Sequence, residues 1–252
     1  MLDKVGKYQF LSEPFHCDVT GHLFLGHVGN LMLNAADFHS TERGYGMREL
    51  NPLSKTWVLS RLAIEMEKMP TAYASFYVET WIEGVMRFFT NRNFRVVGTD
   101  GRIYGYGRSV WAMIDTETRE PQDILAVKDG EIENWIVDDK DCPIAKSSRV
   151  KMGADAEKVR TIDTTYNDID VNGHVNSVKY IEHVLDLFPV DWYRKHTIRR
   201  FEMAYVAESH YGDQLSFWQE RAGENEYNIR ITKTDHKTQE EVEVGRSKVK
   251  SM

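Results

Sequence analysis

The stretch Tyr166–Asp186, YNDIDVNGHVNSVKYIEHVLD, holds the residues best suited to chemistry. Acidic and amide side chains fill its first half, a histidine follows a glycine, and an apolar pattern at helical spacing takes over. Asp170, Asn172 and His174 stand at alternate positions. In an extended segment alternate side chains point to one side, so a carboxylate, an amide and an imidazole would face one place. Such a set suits hydrolysis, which needs a water made nucleophilic and donors aimed at a developing oxyanion. A helix beginning near His174 would add free backbone N–H groups with partial positive charge. Gly173 would let the backbone approach a substrate closely.

The elements that must hold these residues are legible as pattern. Aromatic and β-branched runs WVLSRLAIEMEK, YASFYVETWIEG, FFTNRNFRVV and RIYGYGRSVWAMID, separated by short turns, predict a curled antiparallel sheet over 57–115. Before them, Val28, Leu31, Met32, Ala35 and Phe38 recur at helical spacing and stop near Gly44 and Gly46. Residues 116–156 are polar and read as a connecting segment with a short helix or two. The order then repeats: a strand at KVRTIDTTY, a helix at HVNSVKYIEHVLDLF, and four strands from Ile198 to Lys250. LGHVGNLML at 25–33 and NGHVNSVKY at 172–180 share GHV, which sets His27 and His174 in register, 174 − 27 = 147 residues apart. The expected class is α+β, with an N-terminal repeat at 1–115, a linker at 116–156 and a C-terminal repeat at 157–252. In each repeat the sheet wraps a helix and buries its apolar stripe, and the two repeats form a pseudo-dimer.

Composition narrows the function. The 252 residues carry a net charge of −7, giving no overall basic character to attract nucleic acid. No apolar run approaches the roughly 18 residues that span a membrane. The charged start MLDKVGKYQFLSEPF lacks a signal-peptide core. Two cysteines, Cys17 and Cys142, give neither a disulfide framework nor metal-ligand spacing. The expectation is a bacterial cytoplasmic protein without metal or cofactor.

NDIDVNGHVNSVKYI resembles the motif of the acyl-acyl-carrier-protein thioesterases of plant plastids and bacteria, and the resemblance covers nearly the whole chain. It implies a double hot-dog fold and hydrolysis of acyl thioesters on acyl-carrier protein. Residue by residue, the family's catalytic Asp-x-Asn-x-His matches Asp170, Asn172 and His174. The glutamate after the next helix matches Glu208 in FEMAYVAESHYGD. Glu208, expected on a strand, would serve as general base or hold the water with His174, and Asp170 would orient Asn172 or His174. Plant members commonly place a cysteine directly after the glutamate. Here that residue is Ser209, so a cysteine nucleophile is excluded there. AESHY lacks the G-x-S-x-G elbow of serine hydrolases, so water activated by the acid–base set is the simpler chemistry.

Aligning His27 with His174 puts Leu23 and Leu25 where Asp170 and Asn172 stand, which predicts a degenerate first copy and one live site. The apolar first half, with Phe24, Leu31, Met32, Trp57 and Trp81 foremost, would then line an acyl tunnel. The basic run RKHTIRR, with Arg194, Lys195, Arg199 and Arg200, is the candidate patch for an acidic carrier protein. Each feature has a plainer reading. Asp170 and Asn172 suit turns and helix caps, Glu208 could be a solvated strand residue, and charge runs are commonly just surface. Rival functions are an acyl-CoA thioesterase, a dehydratase or hydratase of the same fold, and a non-catalytic acyl-binding module. Further association into a homodimer is left open.

Overall fold

The computed structural model describes residues 2–153, 155–235 and 239–252. The chain divides into two compact units, Met1–Lys146 and Ser147–Met252. The first contains β1 (Gly6–Leu11), α1 (Leu25–Glu42), the single turn α2 (Met47–Leu50), β2 (Lys55–Met66), β3 (Ser75–Val85), β4 (Phe89–Gly98) and β5 (Ile103–Asp115). The second contains β6 (Glu157–Asp163), α3 (Ser177–Leu185), the single turn α4 (Val190–Tyr193), β7 (Ile198–Tyr205), β8 (Gln214–Gly223), β9 (Glu226–Thr234) and β10 (Glu241–Ser251).

Each unit is one antiparallel sheet with a helix on it. Strand order is β1-β3-β4-β5-β2 in the first and β6-β8-β9-β10-β7 in the second, the same sequence of connections. In the first unit, α1 buries Leu25, Val28, Leu31, Met32, Ala35 and Ala36 at three- and four-residue spacing. The helix lies so close to β5 that a Cβ on Gly107 would sit 2.8 Å from the Met32 sulfur. A side chain there would have to displace the Met32 thioether and crowd the Phe94 ring. In the second unit α3 is half as long. It buries Val178, Tyr180, Ile181 and Val184 and gives way to Pro189, which cannot continue a helix.

After β5 the chain makes two short 3-10 turns within Ile124–Trp135, broken at Lys128–Gly130. Ile124, Val127 and Ile132 pack there on Tyr45, Leu50, Ile82 and Met113. Val137, Cys142 and Ile144 then cover Trp81. This stretch is therefore bound into the first unit by its own apolar residues. Among the described residues no helix is long and apolar enough to cross a membrane.

The second unit opens with a tether. Ser148 donates from its N–H and Oγ to Glu202 Oε2 at 2.6 and 2.8 Å, and Arg200 Nε donates to Oε1 at 2.7 Å. Burial alone would raise the Glu202 carboxyl. The bonds from Arg200 and Ser148 outweigh it and hold the group below the usual carboxylate range. A depressed carboxyl contributes stability above its unfolded pKa, about 4.3, and loses it as pH falls through the folded value. Glu202→Gln should therefore cost about 1.5–3 kcal/mol at neutral pH. In urea titrations the gap to the parent protein should hold down to about pH 4.3 and close below it.

Candidate active site

The Asp170–His174 segment is a tight turn, where an extended run was expected. Asp170 N–H donates to the His174 carbonyl at 2.8 Å and Gly173 N–H to the Asp170 carbonyl at 3.0 Å. Asp170 Oδ1 accepts from the N–H groups of Asn172 and His174, at 2.8 and 3.4 Å. An aspartate whose carboxylate bonds its own backbone two residues on is a turn former. Asp170 thus orients the backbone of Asn172 and His174 rather than their side chains. Gly173 sits at φ +79° with open space where its Cβ would be, and that left-handed backbone by itself calls for glycine. Asn172 is exposed and His174 half-buried.

Nor does a helix start at His174. Helix α3 begins at Ser177, and Asn176 caps it, its side chain accepting from Val178 N–H at 2.8 Å. That cap takes one of the free N–H groups at the start of α3. Just upstream, Thr165 and Asp168 form a capping box around the 3-10 turn Tyr166–Asp168. Asp168 also bonds His183 Nε2 of α3 at 2.9 Å. Burial would raise the Asp168 carboxyl, but the Thr165 and His183 bonds prevail and lower it. The T-x-x-D spacing was readable in the sequence; the His183 contact was not.

Glu208 lies in the loop that follows β7, beyond the strand end at Tyr205; the expected strand stops three residues short. The loop meets the turn through one backbone bond, Val175 N–H to the Ser209 carbonyl at 2.8 Å. That bond brings His174 Nε2 to 3.5 Å from Glu208 Oε2, with side chains 23% and 35% exposed. Both are reachable by water and close enough to share one. His210, unnoticed in the sequence, stands edge-on to His174, ring centroids 5.0 Å apart. Ser209 is fully buried, beside the Tyr180 phenol, which burial pushes up to about 12. A depression of about 580 Å³, lined by Tyr166, Asn167, Ile169, Asp170, Val171 and Tyr211, adjoins the turn.

The first unit contains the same turn in a different register from the one GHV suggested. Asp18 N–H donates to the His22 carbonyl at 2.7 Å and Gly21 N–H to the Asp18 carbonyl at 2.9 Å. Asp18 Oδ1 accepts from Thr20 and His22 N–H at 2.8 and 3.3 Å. DVTGH at 18–22 thus repeats DVNGH at 170–174. The offset is 170 − 18 = 152, and 177 − 25 = 152 for the helix starts. His27 lies inside α1, so it is no counterpart of His174; Leu23 and Leu25 do not replace Asp170 and Asn172. Leu23 N–H donates to the Pro70 carbonyl as Val175 does to Ser209. Met69 therefore occupies the place of Glu208. The first copy keeps the acid and the imidazole, has Thr20 in the place of Asn172, and lacks the second carboxylate.

Other expected residues scatter. Met32 and Trp81 are fully buried and Leu31 nearly so, while Phe24, at the start of α1, is 48% exposed. Trp57 packs on the Tyr45–Leu50 cluster and Trp81 on the Cys142–Ile144 one. In the basic run, Arg200 is turned in on Glu202, Arg194 pairs with Asp191, and Arg199 is half-buried, which leaves Arg194 and Lys195 exposed. Glu13, His16 and His27 bring three ligand atoms within 4.8 Å of one another. The two imidazoles, however, stack 3.9 Å apart at 10°, so their in-plane lone pairs run parallel and do not converge on a common ion.

Comparison with known proteins follows this geometry. Residues 4–129 match the family model described as the acyl-ACP thioesterase N-terminal domain, and residues 152–250 match that of the C-terminal domain. A crystal structure of an acyl-ACP thioesterase from Bacteroides thetaiotaomicron is 50% identical, with TM-score 0.90, over 99% of this chain and 98% of that one. The 12:0-ACP thioesterase of Umbellularia californica has TM-score 0.84 at 23% identity, over 100% and 98% of the two chains, a likeness of fold. The chloroplastic palmitoyl-acyl carrier protein thioesterase of Arabidopsis thaliana is 30% identical over 189 residues, 73% of this chain and 44% of that protein. The chain thus spans less than half the length of that plant relative. With these neighbours the two units are assigned as hot-dog units, and the class is α+β.

The twin turns supply a matched test of the backbone reading. Gly21 and Gly173 sit at φ +77° and +79°, each with open space on the side where a Cβ would stand. Alanine at either should cost about 1–2 kcal/mol from left-handed backbone alone, measured by urea unfolding. Only Gly173→Ala should move the His174 imidazole signals in a proton–carbon NMR spectrum.

Proposed function

We propose, because this chain belongs to the acyl-ACP thioesterase family, that it hydrolyses the thioester of acyl-acyl-carrier protein to free fatty acid and carrier thiol. The observation that carries this reading is the approach of Glu208 to His174 at 3.5 Å. A carboxylate and an imidazole at that distance, both open to solvent, can contact one water placed beside the pair. Glu208 takes the proton as the water oxygen attacks the thioester carbon. The exposed Asn172 amide is assigned as the donor to the oxyanion. When the tetrahedral intermediate collapses, the carbon–sulfur bond breaks and the proton held by Glu208 passes to the leaving thiolate. Asp170 keeps Asn172 and His174 in place through its turn bonds. No cofactor or metal takes part in these steps.

Of the apolar residues expected to meet the acyl tail, the 48% exposed Phe24 is kept as a candidate, because Leu31, Met32 and Trp81 are buried and Trp57 packs on the Tyr45–Leu50 cluster of the first unit. The acidic carrier protein is assigned to the exposed Arg194 and Lys195, without the inward-turned Arg200. A homodimer is not required by this chemistry.

The deciding experiment measures acid release from carrier-linked and CoA-linked acyl chains of graded length. Glu208→Ala and His174→Ala should each lower turnover of the carrier substrate by about 10²–10⁴-fold, whereas His22→Ala, in the twin turn, should leave it unchanged. Equal loss in His22→Ala would refute a single live site. Preference for CoA esters would transfer the reading to an acyl-CoA thioesterase. Ligand binding without turnover in the parent protein would make it a binding module. Reversing charge at Arg194 and Lys195 together should raise KM for the carrier substrate alone, and the effect should fade with added salt.

A further inference from the structure

The loop that carries Glu208 has its backbone held at every carbonyl from Glu208 to His210, and one buried ion pair supplies the first of these bonds and also takes the His210 N–H. Lys233, on β9, donates from Nζ to the Glu208 carbonyl at 2.8 Å and to Asp213 Oδ2 at 3.2 Å. The same Asp213 oxygen accepts from His210 N–H at 2.9 Å. Thr164 Oγ1 holds the His210 carbonyl at 2.7 Å, and Val175 N–H holds that of Ser209. The side chains of Lys233 and Asp213 are only 13% and 4% exposed.

The first unit shows that the fold does not need this pair. Ser12 N–H donates to the Ala74 carbonyl as Thr164 N–H does to that of Asp213, so Ala74 stands in the place of Asp213. Leu11 pairs with Ser75 as Asp163 pairs with Gln214. One residue on, Phe76 faces Gly98 as Leu215 faces Lys233. Gly98 therefore stands in the place of Lys233. Glu208, Asp213 and Lys233 are replaced together, by Met69, Ala74 and Gly98, in a unit that builds the same sheet and the same turn. A buried ion pair adds little net stability over apolar residues, because desolvation offsets the attraction. Its presence in one unit alone, beside the one carboxylate, calls for a role in the site.

We propose that Lys233 and Asp213 are positioning residues that clamp the Glu208–His210 backbone and so hold the Glu208 carboxylate against His174. The clamp touches no reacting atom and acts through the main chain. This rests on the hydrolase reading for its kinetic consequence and on geometry alone for its structural one.

The test uses the full chain with Lys233→Met and Asp213→Ala combined, which removes both charges and leaves neither buried alone. Its folded state is checked by circular dichroism and its urea midpoint. The double variant should fold, keep KM for acyl-acyl-carrier protein, and lose about 10²-fold in kcat, the loss expected of a group misplaced by about 1 Å. Lys233→Arg, which keeps charge and donors, should recover most of it. Unchanged kcat in the folded double variant would overturn the clamp, and so would equal loss in Lys233→Arg. Should the double variant not fold, the isosteric Asp213→Asn takes its place with the same expected split.

A second readout needs no turnover. The His174 imidazole signals are recorded by proton–carbon NMR at one pH in the parent and in the clamp variant, each with and without Glu208→Gln. Removing the carboxylate, which lies 3.5 Å from Nε2, should move those signals in the parent background and not in the clamp variant. The same displacement in both backgrounds would overturn the proposal. If the parent does not hydrolyse acyl-acyl-carrier protein, the function fails, and this spectrum still decides the clamp.

Discussion

The hydrogen bond from Val175 N–H to the Ser209 carbonyl is the contact on which the candidate site depends. It joins a turn that precedes α3 to a loop that follows β7, segments with no reason in sequence to meet. Neighbouring bonds fix each partner. Asp170 shapes the turn from inside, and Asn176 separates it from the helix by capping the first turn of α3. On the loop side, the carbonyls before and after Ser209 are taken by Lys233 and Thr164. A backbone bond between two pre-shaped segments leaves side chains free for chemistry, and that is where His174 and Glu208 project.

The two units show which parts of this arrangement are scaffold. Strand order, the Asp-containing turn, the bridging backbone bond and the helix start all recur, the turn and the helix start at one offset of 170 − 18 = 177 − 25 = 152. These features satisfy main-chain groups and bury the apolar face of a helix, so any working unit needs them. The carboxylate and the ion pair under it do not recur. The motif residues thus divide by physics. Asp170 and Gly173 belong to the turn, and the His174 imidazole meets a glutamate outside the motif.

Much of the fold was legible because it depends on local pattern. Aromatic and β-branched runs placed β2 to β5 within a residue or two, and the resemblance of NDIDVNGHVNSVKYI carried the two hot-dog units. The local form of the site was less so. Alternation from Asp170 to His174 suggested an extended run, but an aspartate, an asparagine and a glycine in five residues made a turn, since side-chain bonds to the backbone compete with strand geometry. GHV drew the repeat five residues out of register. The stronger signal was DVTGH against DVNGH, where the turn chemistry is identical. His210, Asp213 and Lys233 carried no local signal, because their meaning lies in which carbonyls they reach across the sheet.

Pro70 stands where Ser209 stands, offering its carbonyl to Leu23. The first unit therefore meets the same demand, a loop held still beside a turn, with a ring that fixes φ before folding begins. The second meets it with an ion pair that exists only once folding is complete. The two halves should then differ in mutational tolerance. Drift in the proline-held loop can proceed through neighbours that merely fit. The ion-paired loop changes safely only when two residues, far apart in sequence, change in step. The chain carries one loop that can vary residue by residue and one in which variation must be coordinated.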